Sequence, residues 1–244
     1  MAGGRSEVGH PFTGSESNRP PVGPESTEAR ADTPPPCLTH DPGPDHRPPL
    51  AADPDWPAVR LWRKETRARL IEQRCLISSG DRAAWSAGIT ERLNRLLSSH
   101  AKPLIGFYWP FRGEYDARAI LAGLRDRGVR LALPVVVAKA EPLQFRAWWP
   151  GVAMTRGVWD IPIPAVGDPV SPDILLAPLV GFDSGHYRLG YGGGFYDRTV
   201  AALPIKPLCI GVGFALSRLA SIRPQAHDVP MDVVITETDG PEHP

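Results

Sequence analysis

Apolar and polar positions begin to alternate with a clear period only after the first quarter of the chain. "VRLWRKETRARLIEQRCLI" (59–77) is dense in helix formers and free of glycine and proline. After a Ser-Ser-Gly break comes "DRAAWSAGITERLNRLL". There Trp85, Ile89, Leu93 and Leu96 recur at helical spacing on one face, with Asp81 as the expected cap. The short apolar run "PLIGFYW" suits a buried strand, and "DARAILAGLRDRG" predicts a helix stopped by Gly128. "VRLALPVVV", "LQFRAWW" and "DILLAPLVGFD" read as strands, "FYDRTVAAL" as a helix, and "PLCIGVGF" and "MDVVITE" as two closing strands. Strands separated by helices predict an α/β fold, a mainly parallel sheet with helices on both faces in three layers. The two opening helices are expected to pack over one side.

Upstream of residue 58 that patterning is missing. Residues 1–57 carry "RPPVGPE", "TPPPC" and "DPGPDHRPPL" with almost no large apolar side chain. Such a composition buries too little surface to offset the entropy of ordering. A disordered Pro-rich extension over 1–57 is therefore expected, followed by one folded domain over 58–237 and a short tail over 238–244. A polyproline recognition segment is the other reading of the extension.

Composition narrows the function classes. The 244 residues hold 27 Lys+Arg and 27 Asp+Glu, and this balance gives no support to nucleic acid or an anionic membrane surface as a partner. Cys37, Cys75 and Cys209 lie far apart, without metal-ligand or redox spacing, and their odd number argues against a disulfide framework. No apolar run reaches the length of a membrane span, and the first residues lack the apolar middle of a signal peptide. A cytoplasmic setting is expected.

The candidate chemistry lies in "YRLGYGGGFYDR", Tyr187 to Arg198, with four glycines in five residues. Glycine inside an element costs roughly 0.5–1 kcal/mol relative to alanine, so such a cluster suggests a sharp bend or a close approach. A strand leads toward the loop and a helix follows it. That junction places backbone N–H groups at a helix N-terminus, which suits phosphate. Phe195 stands where a dinucleotide fingerprint needs its third glycine, and no Gly-Lys-Ser/Thr follows as in a Walker A loop. Arg188 and Arg198 can neutralise phosphate charge, and Asp197 can face a hard cation that bridges phosphate oxygens. The plainer reading is a tight turn between two surface arginines.

"RLGYGGGFYDR" resembles the signature of the 5-formyltetrahydrofolate cyclo-ligase family, the methenyltetrahydrofolate synthetases. "GFDSGHYRLGYGGGFYDR" followed by "HDVPMDVVITE", together with "FYWPFRGEYDARAIL", "GVRLALP" and the Arg-rich first helix, extends the resemblance over about 58–237. It implies ATP as co-substrate, Mg2+ and a reduced folate. The formyl oxygen attacks the terminal phosphate, N10 closes the ring onto the activated carbon, and phosphate leaves. It further implies that Arg63, Arg188, Leu189, Gly190, Tyr191, Gly192, Gly193, Gly194, Phe195 and Tyr196 contact ATP. Trp109, Glu114 and Tyr191 through Phe195 would contact the folate, and Asp197 and Asp228 the magnesium. Read without the family, Asp228 is a loop or capping residue, Trp109 is equally well a core aromatic, and Arg60, Arg63, Arg67 and Arg74 form one solvated helix face.

The match departs from the family in three places. The lysine expected four residues before Arg63 is Val59, and the Glu-Pro pair is missing from "GVWDIPIP", leaving Asp160 or nothing in the acid's place. A glutamine commonly found before the last helix-loop is absent from its place in "FALSRLASIRPQAHD". The alternative function is accordingly a same-fold paralogue. It would bind a nucleotide or another heterocycle, for example a thiamine-related one, without cyclo-ligase turnover.

Overall fold

The computed structural model describes residues 55–238. The expected extension lies outside the described residues except for Asp55–Pro57, and the C-terminal tail except for Thr238. Helix α1 (Trp56–Cys75) starts just ahead of the expected boundary, with a proline in its first turn, where a missing N–H breaks no helical bond.

In chain order there follow α2 (Ser79–Leu97), β1 (Leu104–Gly106), α3 (Arg118–Leu124), β2 (Arg130–Val135), β3 (Gln144–Trp148), β4 (Met154–Arg156), β5 (Pro162–Pro164), β6 (Pro169–Val170) and β7 (Ile174–Pro178). The chain closes with β8 (Gly181–Phe182), β9 (Arg188–Leu189), α4 (Phe195–Ala202), β10 (Leu208–Val212) and β11 (Val233–Ile235). A 3-10 turn extends α3 to Gly128, which ends it at φ +85 as expected.

The central sheet runs β11-β10-β7-β1-β2-β3-β6. Its five strands from β11 to β2 are parallel, while β3 is antiparallel to β2 and β6 to β3. Strand residues alternate between the two faces. Ile105, Leu131, Leu133, Leu176, Ile210 and Val233 meet Ile89, Leu93 and Leu97 of α2 and Leu121 of α3. Leu104, Ala132, Leu175, Ala177, Cys209 and Val234 pack with Val200 of α4 on the other face. Both faces are covered, so β1 is buried at every residue and its sequence reads as a plain apolar run.

Two expectations change. The cap of α2 is Ser78, whose Oγ accepts the Asp81 N–H at 3.1 Å, so the Ser-Ser-Gly break belongs to the helix start. Nor does α1 join the core cluster that holds α2, although Arg82 of α2 donates to the Arg74 carbonyl at 2.8 Å. Its Leu70 sits against Gly181, where an added Cβ would be 2.8 Å from Leu70 Cδ1, and its Arg74 donates to the Leu179 and Arg112 carbonyls. Those carbonyls follow β7 and β1, so α1 crosses the carboxyl ends of the parallel strands, the side on which open α/β sheets bind ligands. The β4–β5 ribbon is also new, its strand signal masked by Pro162 and Pro164. Among the described residues no helix is long and apolar enough to cross a membrane.

Candidate active site

The glycine loop does not leave β7 directly. The chain first forms the β8–β9 hairpin, whose turn is held by buried Asp183. Its Oδ1 accepts from the Gly185 and Tyr187 N–H groups at 3.0 and 3.2 Å, and its Oδ2 from Ile222 N–H at 2.9 Å. The first half of the signature is therefore a fixed support that aims Arg188 and the loop. Gly192 (φ +93) and Gly194 (φ +62) take left-handed conformations, and Gly194 immediately precedes α4. The first-turn N–H groups of α4 consequently open toward the loop.

Two cavities meet at this loop. A cleft of about 560 Å³ is lined by Arg63, Lys64, Arg67, Arg188–Gly192, Gly194, Asp197, His227 and Asp228, among others. A smaller cavity of about 130 Å³ is lined by Tyr108, Trp109, Phe111, Glu114, Trp159, Ile161, Ile163, Gly193, Phe195 and Tyr196, among others. Arg188, Gly190, Tyr191 and Gly194 border both. The expected ATP contacts thus divide. Leu189 and Gly192 face the polar cleft alone, whereas Gly193, Phe195 and Tyr196 face the aromatic cavity.

Arg188 is 7% exposed, with its guanidinium 5.2 Å from the Tyr196 ring centre and its Nη2 3.3 Å from Asp197 Oδ2. Its Nε and Nη2 make no hydrogen bond within the described structure. With Nη2 already facing the Asp197 carboxylate, it is the buried Nε beside a helix N-terminus that is left to fit an anion. Asp197 Oδ1 accepts from Val229 N–H at 3.2 Å. Asp228 Oδ2 accepts from Arg63 at 2.5 Å and from Gln225 N–H at 2.7 Å. Among the described residues no group of three or more His, Cys, Asp or Glu is placed to hold a metal. Asp197 and Asp228 line the same cleft, and one or two carboxylates are as many as magnesium commonly takes from a protein when phosphate supplies other oxygens.

Arg63 is otherwise engaged: Nε donates to Ile222 O at 3.1 Å and Nη2 to Arg223 O at 2.8 Å, tying the 222–228 segment to α1. One turn later Arg67 stands over the loop, and a Cβ on Gly192 would be 3.2 Å from its Cζ. Arg67 Nε is buried without a hydrogen-bond partner among the described residues. Burial, then the neighbouring Arg63, lowers the Arg67 pKa, and an anion bound beside it would oppose that lowering.

In the aromatic cavity Glu114 has a side chain only 4% exposed. Its Oε1 accepts from Tyr191 at 2.8 Å and its Oε2 from Phe111 N–H at 2.9 Å. Burial raises its pKa, opposed by Arg74 and these two hydrogen bonds. Trp109 lines the cavity and carries the Arg118 guanidinium over its ring at 4.2 Å.

A model of the 5-formyltetrahydrofolate cyclo-ligase family matches residues 59–237, nearly the whole described fold. The chain belongs to the 5-formyltetrahydrofolate cyclo-ligase family. It is 26% identical over 181 residues to a 5-formyltetrahydrofolate cyclo-ligase of Haemophilus influenzae, covering 71% of this chain and 97% of that protein. A cyclo-ligase of Mycolicibacterium smegmatis is 33% identical over 144 residues, 54% of this chain and 73% of that one. The NMR structure of Aquifex aeolicus 5,10-methenyltetrahydrofolate synthetase superposes with a TM-score of 0.65 at 25% identity, covering 75% of this chain and 93% of that one. A Mycoplasma pneumoniae synthetase shares the fold with a TM-score of 0.61 at 22% identity, over 72% and 98% of the two chains.

Against the cyclo-ligase pattern, two departures look different in the structure. Val59 is 1% exposed and lines neither cavity. If Arg67 is the phosphate-facing arginine of α1, the residue four earlier is Arg63, a cation after all. The spacing Arg63/Arg67 was readable in the sequence, but nothing there said which of four arginines faced the loop. Asp160 does not replace the missing acid: it is exposed beside Arg156, and Ile161 and Ile163 line the cavity instead. Trp159 was not singled out as a site residue. It sits nearly parallel to Phe111, 6.4 Å between centroids and 7° between planes, and 6.0 Å from the Tyr191 ring.

Proposed function

We propose that this cyclo-ligase family member converts 5-formyltetrahydrofolate and ATP into 5,10-methenyltetrahydrofolate, ADP and phosphate. The observation that carries this reading is the shared wall: one glycine loop separates a polar cleft from an aromatic cavity. A reaction joining a folate oxygen to a terminal phosphate needs two such adjoining sites, so that the reacting atoms meet where the cavities share residues.

In this reading the polar cleft takes ATP. The Arg188–Gly194 backbone and first-turn N–H groups of α4 cradle the phosphates, while Arg67 and Arg188 offset their charge. Asp197 and Asp228 hold magnesium, which neutralises phosphate charge when bound. Arg63 keeps Asp228 in place through its 2.5 Å ion pair. The aromatic cavity takes the pterin: Trp109, Trp159, Phe195 and Tyr196 exclude water, and Glu114 accepts hydrogen bonds from the ring N–H and amino group. Arg188, bordering both cavities, is placed to stabilise charge as the phosphoryl group moves toward the formyl oxygen.

Incubating the purified chain with 5-formyltetrahydrofolate, ATP and Mg2+ is expected to give the methenyl chromophore with one ADP per product. Folded protein that binds both substrates and yields no chromophore refutes the reading.

A further inference from the structure

The polar groups of the aromatic cavity converge on a side chain that lines neither cavity. Arg74, in the last turn of α1, is 2% exposed. Its Nε donates to Arg112 O at 3.0 Å, its Nη1 to Leu179 O at 3.1 Å and its Nη2 to Tyr191 Oη at 2.7 Å. The same Nη2 is 3.7 Å from Glu114 Oε1.

Two of these partners bear directly on Glu114. Arg112 belongs to a turn closed by Glu114 N–H on Phe111 O at 3.2 Å. Its central residues, Arg112 (φ +48) and Gly113 (φ +76), are both left-handed. A large non-glycine residue holds that conformation only where its surroundings over-determine it. Here Arg74 grips the Arg112 carbonyl and Arg82 the Gly113 carbonyl at 2.6 Å. Tyr191, on the glycine loop, accepts from Arg74 and donates to Glu114 Oε1. α1, the turn after β1 and the glycine loop therefore meet through one guanidinium.

We propose that Arg74 is a positioning residue for the folate substrate, holding the Phe111–Glu114 turn and the Tyr191 hydroxyl around the Glu114 carboxylate and supplying that carboxylate with a cation. The proposal rests on the reading that Glu114 binds the pterin. The groups that face Glu114 are Arg74 from α1, Tyr191 from the glycine loop, Tyr108 from the segment after β1 and Tyr196 from α4, with Arg188 beyond the Tyr196 ring. All the neighbours except the two arginines are neutral phenols. An ionised Glu114 can accept two pterin hydrogen bonds, so folate use declines as pH falls through the Glu114 pKa. Burial already lifts that pKa, and Arg74 opposes the lift.

The test measures kcat and KM for both substrates as a function of pH in Arg74→Met, Arg74→Lys, Glu114→Gln and the double variant Arg74→Met/Glu114→Gln, with circular dichroism verifying the fold. Arg74→Met is expected to raise KM for 5-formyltetrahydrofolate about tenfold or more while KM for ATP stays within about twofold. The acidic limb of kcat/KM for the folate should move up by about one pH unit or more, the effect of removing an opposite charge at this distance. Glu114→Gln should lack that limb, and adding Arg74→Met to it should produce no further pH shift. Arg74→Lys keeps the charge and should restore the limb while leaving folate KM elevated. Should Arg74→Met not fold, Arg74→Lys carries the test alone, and a wild-type folate KM there overturns the proposal. A folded Arg74→Met that loses activity equally at every pH, or raises both KM values alike, makes Arg74 merely structural. Glu114→Gln with an unchanged folate KM overturns the underlying reading of the cavity. That result is distinguishable from an effective Glu114→Gln paired with an unmoved Arg74→Met limb, which overturns the role of Arg74 alone.

Discussion

Replacing Gly192 by alanine separates the two sides of the glycine loop. At φ +93 the backbone lies beyond the left-handed well, which centres near φ +57 for L-residues, so alanine introduces strain of about 1–2 kcal/mol. The new Cβ would also be 3.2 Å from Arg67 Cζ and 3.3 Å from both terminal nitrogens, so the guanidinium must give by a few tenths of an ångström where it stands over the loop. Outright loss of a charge-assisted phosphate contact costs about 1.5–3 kcal/mol, so disturbing it weakens ATP binding by up to roughly 10–100-fold. Gly194→Ala is the control. Its φ of +62 lies inside the well, and its Cβ would meet Arg198 Nη1 at 2.9 Å, the end of a flexible side chain. Both variants should lose about 1–2 kcal/mol in urea unfolding. Calorimetry with a non-hydrolysable ATP analogue should show the large loss in Gly192→Ala alone, with folate affinity kept within about threefold because Gly192 does not border the aromatic cavity. Wild-type ATP affinity in Gly192→Ala, or equal losses for both ligands, refutes the argument.

Asp228→Ala leaves the buried Arg63 guanidinium without its carboxylate and Gln225 N–H without its acceptor, so urea unfolding should show a loss of about 3 kcal/mol; a loss below about 1 kcal/mol contradicts the pairing. Glu114 has a raised pKa in the folded chain, so its contribution to stability is fully present below the ordinary carboxylate value and is lost as pH rises through the folded value. Thermal melts should therefore show the wild type falling relative to Glu114→Gln as pH is raised from about 4 toward neutrality, where the ordinary value lies near 4.3. Parallel pH–Tm curves for the two proteins sink that assignment.

The sheet and its helices were legible because their signals are local. Ile89 and Leu93 recur at helical spacing, Gly128 stops α3, and the runs around Ile105, Leu175 and Ile210 are apolar enough for strands buried on both faces. The β4–β5 ribbon was not, because Pro162 and Pro164 deplete the strand signal at a ribbon edge. The site was half legible. The glycine cluster announced a bend and a close approach, and Asp197 and Asp228 do line the polar cleft. What one sequence does not carry is direction. Four arginines share a face of α1, yet Arg63 holds a distant loop segment, Arg67 stands over Gly192 and Arg74 reaches Glu114. That division is set by where α1 crosses the sheet, a long-range fact with no local signature. Trp159 escaped for the same reason: its left-handed backbone and its stacking on Phe111 depend on the fold of the β4–β5 ribbon.

The central claim is that one loop keeps ATP and folate on its two sides. A crystal structure of the chain with a non-hydrolysable ATP analogue and 5-formyltetrahydrofolate tests it most directly. The account predicts the triphosphate over Gly190–Gly194 within hydrogen-bond reach of Arg67 and Arg188, and the pterin against Glu114 with its formyl group turned toward Arg188. Both ligands in one cavity, or a triphosphate bound away from the loop, would contradict it.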